Sequence, residues 1–304
     1  MELSSVKTIK NLLKSRGFAP SKLLGQNFLV DRAAVKKIIE AAELSPEDTV
    51  LEIGPGLGVL TRELAKSAKR IIAVEKDPKM IEILEETLKN FKNVEIIRGD
   101  IRYLGCPTSP KIWGDVGHPD VSRKSDFLNF KVVGNLPFYL TAPAIRQFLE
   151  QKWSDVGFPP ISLMVFMVQK EVAQRICSKP PDMNLLAVSV QFYAESKIIS
   201  YISKKSFWPS PEVDAAIIKI TPKTQNIQTP DVCMFFKIVK AGFSQPRKQL
   251  INNLSNGLKL DKVKAREWLS ANNIQPTQRA ETLTLEEWVR LTKGFISNNI
   301  ETRP

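Results

Sequence analysis

Between Thr49 and Ile220, short apolar runs of strand length alternate with amphipathic stretches of helix length. That alternation commits the segment to βαβ units, because parallel strands need a crossover and the crossover helices cover the sheet. The runs predict strands over 50–53, 70–74, 94–98, 131–133, 162–168, 187–193 and 215–220, with helices over 61–66, 78–90, 142–151 and 170–177. The last two runs are joined by a short connection ending in Phe207-Trp208-Pro209-Ser210-Pro211-Glu212, too short for a crossover helix. These two strands are therefore expected to pair antiparallel at an edge. Hydrophobic residues make up 43% and charged residues 25% of the 304, a mix that builds a packed core and excludes a disordered or collagen-like chain.

Residues 221–230, TPKTQNIQTP, are polar, carry two prolines and read as a linker, placing a domain boundary between 1–222 and 223–304. Beyond it, 232–241, 247–256, 262–271 and 285–296 have helical periodicity and predict a small all-α unit. The stretch 105–126, with three prolines and three glycines, is expected to be an irregular surface insertion, and His118 an ordinary loop residue within it.

The net charge of +12 favours a polyanionic partner, nucleic acid first. Residues 1–30 carry +4 and residues 223–304 carry +6, so the middle 192 residues hold only +2. A near-neutral body flanked by segments that grip phosphate is the expected arrangement. Cys106, Cys177 and Cys233 are far apart with no C-x-x-C pair, which excludes a disulfide framework or cysteine metal cluster and points to a reducing compartment. With a single histidine, the chain lacks the parts for Ser-His-Asp or multi-histidine metal chemistry, so no metal is expected. The longest near-continuous apolar run, 161–168, is far short of a membrane span. Residues 1–17 place lysines among Val6, Ile9, Leu12 and Leu13 at helical spacing and lack the apolar core of a signal peptide. A soluble, cytoplasmic protein with no membrane partner is expected.

The strongest local signal is Glu52-Ile53-Gly54-Pro55-Gly56-Leu57-Gly58, where a strand opens into a glycine-rich turn and then a helix. Glycines let the backbone approach a ligand closely, and the helix N-terminus favours an anionic group. A dinucleotide loop would read G-x-G-x-x-G, and no glycine stands at that last spacing, which disfavours NAD. The E-x-G-x-G-x-G form is the one associated with S-adenosylmethionine, whose methionyl end lies against the turn. Glu75 closes the second strand 21 residues after Gly54, where a carboxylate can accept from both ribose hydroxyls. Asp100, closing the third strand, can accept from the adenine amino group. Singly, each acid reads as a strand-end cap. At the carboxyl ends of successive strands beside the switch point of an α/β sheet, the two together favour a ligand.

The fourth strand ends Gly134-Asn135-Leu136-Pro137-Phe138, a turn that recurs in enzymes methylating exocyclic amino groups. The adenine N6 lone pair is delocalised into the ring, so it attacks a methyl sulfonium poorly unless that conjugation is weakened. The Asn135 side-chain oxygen and the Leu136 carbonyl can accept the two N6 hydrogens and aim the lone pair at the methyl. Pro137 stiffens the turn, and Phe138 offers a face for a splayed-out base. No ionised base is required, and the rate comes from proximity and orientation.

Several spaced motifs in order carry a family resemblance. They are Gly25-Gln26-Asn27-Phe28-Leu29, the Glu52 loop, Glu75, Asp100, Asn135 to Phe138 and Gln169 to Arg175, followed by Phe207 to Asp214, Phe243 to Lys248 and Arg279-Ala280-Glu281. On these the chain resembles the ribosomal RNA adenine N6,N6-dimethyltransferases. The resemblance implies an α/β fold, a Rossmann-like class I S-adenosylmethionine-dependent methyltransferase sheet with a small all-α C-terminal domain. Residues 1–222 would bind the cofactor and include a basic N-terminal extension, and residues 223–304 would bind rRNA. Cofactor contacts are implied for Gln26, Asn27, Leu29, Glu52, Gly54, Gly56, Glu75, Asp100, Ile101 and Asn135, catalytic roles for Asn135, Leu136, Pro137 and Phe138, and RNA contacts for Phe207, Arg247 and Lys248. The implied reaction is dimethylation of two adjacent adenosines near the 3′ end of 16S rRNA in the 30S subunit, late in assembly, by a monomer.

Phe138 stands where the family has tyrosine, Pro246 where it has arginine, and Met183-Asn184 where it has Tyr-Gly. None of these removes a reacting group. Leu136, Pro143 and the expected Arg247-Lys248 helix favour the small-subunit enzymes over the 23S rRNA methyltransferases of macrolide resistance. Intact Glu75, Asp100 and Asn135 argue against a non-catalytic assembly or transcription factor on the same fold, and the glycine spacing argues against a dehydrogenase.

Overall fold

The computed structural model describes residues 3, 5–21, 25–103, 130–137, 140–150, 160–223 and 231–297. The expected 105–126 insertion with Cys106 and His118, the Phe138 side chain and residues 224–230 of the expected linker lie outside them. The chain divides into two compact units, one of Met1–Ala173 and Ser196–Pro222, the other of Gln174–Glu195 and Lys223–Pro304. One division between these units falls after Pro222, and residues 174–195, expected in the first domain, lie in the second unit. Met183, Ala187, Val188 and Phe192 are buried in the second unit's core with Phe235 and Trp288, and that burial decides the assignment.

In the first unit, Ser5 caps α1 (Val6–Ser15) by accepting from Thr8 N, and Asp31 caps α2 (Arg32–Ala42) after the short strand β1 (Phe28–Leu29). Then follow β2 (Thr49–Ile53), α3 (Val59–Leu64), β3 (Arg70–Glu75), α4 (Pro78–Leu88) and β4 (Val94–Arg98). Next come β5 (Phe130–Asn135), α5 (Thr141–Glu150), β6 (Ile161–Gln169), and α6 (Lys170–Ile176), whose last three residues already belong to the second unit. After α7 (Leu185–Tyr193) the chain forms β7 (Ala194–Ile202), β8 (Phe207–Trp208) and β9 (Ala215–Pro222).

Seven strands make one sheet in the order β4-β3-β2-β5-β6-β9-β7. β2–β3, β3–β4, β2–β5 and β5–β6 are parallel, and β9 runs antiparallel to β6. β7 is outermost, beside β9, at the edge where the last two strands are expected to pair. The strand there is 194–202, and the run at 187–193 is the helix α7. Val188, Val190 and Phe192 recur with a period of two, which imitates a strand, yet Asn184 caps the segment by accepting from Ala187 N at 3.1 Å. Burial of Ala187, Val188, Val190 and Phe192 then favours the helix over the local β preference. β1 and β8 form a separate two-stranded antiparallel sheet, with Phe28 opposite Trp208 and Leu29 opposite Phe207.

The second unit packs α8 (Val232–Gly242), α9 (Leu250–Gly257), α10 (Lys262–Ala271) and α11 (Leu285–Ser297) around Phe235, Leu254, Trp268 and Trp288. The expected helix at 247–256 begins only at Leu250, so Arg247 and Lys248 lie outside it. They belong to a turn closed by the Lys248 N–H donating to Gln245 O at 3.0 Å, following the break that Pro246 imposes. A Cβ added at Gly242 would come within 3.0 Å of Trp288 Cζ3 and 3.3 Å of Leu250 Cδ1, both in fully buried side chains. Gly242→Ala is therefore expected to destabilise this unit by about 1–3 kcal/mol, the scale of overpacking. A denaturation midpoint equal to that of the unaltered chain would contradict the packing. No helix among the described residues is long and apolar enough to cross a membrane.

Candidate active site

The strand order reverses between β2 and β5, and ligands of open α/β sheets bind at such a switch point, outside the carboxyl ends of the strands. A cleft open to solvent lies there. Gln26, Asn27, Leu29, Glu52, Gly54, Gly56, Glu75, Asp100, Ile101, Asn135 and Pro137 all line it. Ten of these are the expected cofactor residues, brought together from five separate stretches of sequence.

The turn after β2 has positive φ at Gly54 (63°), Gly56 (57°) and Gly58 (82°), a conformation that side chains disfavour. A Cβ at Gly54 would meet nothing within 4 Å, whereas one at Gly58 would meet Leu84, Thr87 and Leu88 of α4 at 3.2–3.3 Å. Gly54 thus presents bare backbone to open space, and Gly58 lets α3 pack against α4.

Glu75 is 9% exposed. Its Oε1 accepts from Lys76 N at 2.8 Å and Asp77 N at 2.9 Å, and Oε2 has only a longer contact with Gly56 N at 3.4 Å. Burial pushes this carboxyl up, against the lowering effect of those three N–H donors. Oε1 is engaged by the backbone, which leaves Oε2 as the oxygen with capacity for a ligand.

Asp100 lies two residues beyond β4 rather than closing it. Its carboxylate accepts from Arg102 Nη2 at 2.6 Å, Arg102 Nε at 3.0 Å and Arg102 N at 3.1 Å, and pairs with Lys76 Nζ at 3.0 Å. Partial burial pushes its pKa up, but these donors outweigh that and hold it well below the usual carboxylate range. Lys76 and Arg102 were not among the expected site residues. Arg102, two residues after Asp100, was the available signal.

Glu52 is 1% exposed, and neither its Oε2 nor Thr61 Oγ1 has a hydrogen-bond partner of normal geometry among the described residues. Burial pushes the carboxyl up to about 8, partly opposed by the nearby Thr61 hydroxyl and reinforced by the Glu75 charge. The native state thus keeps a proton that the unfolded chain releases near 4.5. The stability due to this group is full below pH 4.5 and is lost as pH rises toward about 8. Glu52→Gln, which cannot ionise, is expected to lose less stability than the unaltered protein across that interval in urea titrations. Parallel curves would refute a protonated Glu52.

Asn135 ends β5, as the sequence implies, and its Nδ2 donates to Asn27 O at 3.3 Å. That bond fixes which way the amide faces, and among the described residues neither Asn135 Oδ1 nor Leu136 O accepts a hydrogen bond. The Asn27 loop is in turn held from both sides. Gln26 accepts from Ser21 N at 2.8 Å through Oε1 and donates to Asp77 Oδ2 at 2.8 Å through Nε2. Gly25 has φ 63°, and its missing Cβ would lie 3.3 Å from Pro137 Cβ.

Leu136 does not line the main cleft. It lines an adjoining pocket with Gly25, Asn27, Asn135, Pro137, Met167, Val168, Phe207, Pro211, Val213 and Ala215. Phe207 is buried here, 6% exposed, and is brought to Asn135 by the β1–β8 pairing. Met167, Pro211 and Val213 of this pocket were not among the expected site residues. Arg247 and Lys248 are exposed in the second unit. No cluster of three or more potential metal ligands occurs among the described residues.

A family model described as ribosomal RNA adenine dimethylase matches residues 18–296. "Ribosomal RNA small subunit methyltransferase A" of Dehalococcoides mccartyi is 42% identical over 290 residues, covering 95% of this chain and 93% of that protein. The protein of the same name from Alkaliphilus oremlandii is 38% identical over 305 residues, covering 98% of each. Among solved structures, a dimethyladenosine transferase from Plasmodium falciparum superposes with a TM-score of 0.68 at 23% identity, covering 90% of this chain and 98% of its own. The 23S rRNA methyltransferase ErmE superposes with a TM-score of 0.67 at 24% identity, covering 88% and 99%. These last two bear on the fold, a Rossmann-like methyltransferase sheet with a C-terminal helical unit. With a model match over most of its length and relatives near 40% identity, the chain belongs to the ribosomal RNA adenine dimethylase family.

Proposed function

We propose that this protein dimethylates N6 of two adjacent adenosines near the 3′ end of 16S rRNA in the 30S subunit, with S-adenosylmethionine as methyl donor, in subunit biogenesis. The observation that carries the reading is Asn135, held by Asn27 O, with Oδ1 and the Leu136 carbonyl unclaimed among the described residues, where the main cleft meets the adjoining pocket.

The residues fit the cofactor. The bare Gly54 backbone suits the close approach of the methionyl end, Glu75 Oε2 has capacity for ribose hydroxyls, and Phe28, Leu57 and Met80 give the cleft apolar walls. Asp100 and Ile101 would face the adenine, with Asp100 kept ionised by Arg102 and Lys76. Bound there, the cofactor supplies an electrophilic methyl group. The protein's part is to bring the amine to it. Asn135 Oδ1 and Leu136 O accept the two N6 hydrogens, draw the nitrogen out of conjugation and point its lone pair toward the cleft. Pro137 stiffens the turn, Phe207 lines the base pocket, and Phe138 is assigned a stacking role. No side chain has to hold the proton released, since the amine becomes acidic as it is alkylated and water can take it. Rate then derives from orientation.

The second unit, through Arg247 and Lys248, is assigned to rRNA phosphates, and the protein acts as a monomer in the cytoplasm. Incubation with labelled S-adenosylmethionine and undermethylated 30S subunits should place label on two neighbouring adenosines near the 16S 3′ end. Label confined to 23S rRNA, or none at all, would refute the proposal.

A further inference from the structure

The exposed face of α1 is a stripe of Lys7, Lys10 and Lys14, spaced three and four residues apart so that they lie above one another. The helix contains no acidic residue, and the only ion pair at this end of the chain among the described residues joins Arg16 to Glu86. Three adjacent cations that make no ion pair among the described residues repel one another, a cost that a polyanion along the stripe would remove.

The stripe is tied to the base pocket. Lys10 Nζ sits 5.5 Å from the centre of the Trp208 ring, and Trp208 follows Phe207, which lines the pocket beside Asn135. A basic group over a half-buried aromatic ring, next to the proposed base pocket, is the combination that tracks a single strand.

From this geometry we infer that α1 is a phosphodiester-binding rail, holding the single-stranded RNA that flanks the target adenosine as the base enters the pocket. The inference rests on the proposed rRNA reaction and adds a surface to it. A basic amphipathic helix can instead lie on an anionic membrane, but that requires a free apolar face. Here Ile9, Leu12 and Leu13 are buried against Phe28, Met80 and Ile83, so the exposed residues of α1 are polar or charged.

The test compares the full chain with a Lys7→Ala/Lys10→Ala/Lys14→Ala variant, using a single-stranded RNA oligonucleotide carrying adjacent adenosines. Each lost phosphate contact removes about 0.7 from the slope of log affinity against log salt, so the triple variant should lose about 2. Its KM for 30S subunits should rise about tenfold or more with kcat kept, because the contacts lie outside the reacting groups. S-adenosylmethionine affinity and the unfolding midpoint should be unchanged, and the triple lysine-to-arginine variant should restore the slope. A slope equal to that of the unaltered protein would overturn the rail, as would loss of binding to phosphatidylserine vesicles with RNA binding intact. Failure of the unaltered protein to bind RNA in a salt-dependent way would instead overturn the proposed function.

Discussion

Asn135→Ala is expected to lower turnover at least about a hundredfold while leaving S-adenosylmethionine affinity within about a few-fold, the pattern of a positioned contact made in the transition state. The asymmetry follows from where the two ends of the amide point. Nδ2 is held by Asn27 O at 3.3 Å, an internal contact whose loss relaxes a loop also anchored by Gln26, Asp77 and Gly25. Oδ1 makes no bond with the described residues and is therefore the end available to the substrate amine. Alanine removes both ends, but only the second lies on the reaction path. In single-turnover measurements the loss should appear in the chemical step, with RNA affinity little changed. Unaltered turnover would remove Asn135 from the mechanism and with it the present account of how the lone pair is exposed.

The parts of this molecule legible in the sequence are those fixed by local rules. Strand ends at Ile53, Glu75 and Asn135 follow from apolar runs stopped by glycine, charge or proline, and the cleft-lining residues at those ends were identifiable one by one. What depended on partners distant in the chain was not legible. The 187–193 run has the periodicity of a strand, and its helical state is set by a core completed by Phe235 and Trp288, roughly 40 to 100 residues later. For the same reason its membership in the second unit left no mark in composition. The β1–β8 pair has two residues per strand, too few to show a period, yet it is what brings Phe207 to Asn135. Asp100 was identifiable as an acid at the switch point, whereas its hold by Lys76 needs the end of β3 and the turn after β4 side by side. Arg247 and Lys248 show the reverse failure, a helical pattern cut short by the turn that Pro246 introduces.

Glu75→Ala is expected to raise the dissociation constant for S-adenosylmethionine roughly a hundredfold or more, since hydrogen bonds to a charged acceptor are worth about 1.5–3 kcal/mol each and two would be lost. The side chain also ties Lys76 and Asp77 to the turn through Oε1, at 2.8 and 2.9 Å, so alanine alone would confuse a lost ligand contact with a loosened loop. Glu75→Gln separates them. Its amide oxygen can retain the bonds from Lys76 N and Asp77 N, while the nitrogen in place of Oε2 can no longer accept from a ribose hydroxyl and gives up only the long contact with Gly56 N. The glutamine variant should therefore keep the unfolding midpoint of the unaltered protein and still bind the cofactor at least about tenfold more weakly, the scale of one charge-assisted bond replaced by a mismatched donor. Burial of this carboxyl makes the effect larger than at a solvated site, because the displaced water cannot fully replace the lost acceptor. Calorimetric affinity equal to that of the unaltered protein in both variants would show that the ribose is held elsewhere in the cleft, and that Glu75 serves only to brace the turn before α4.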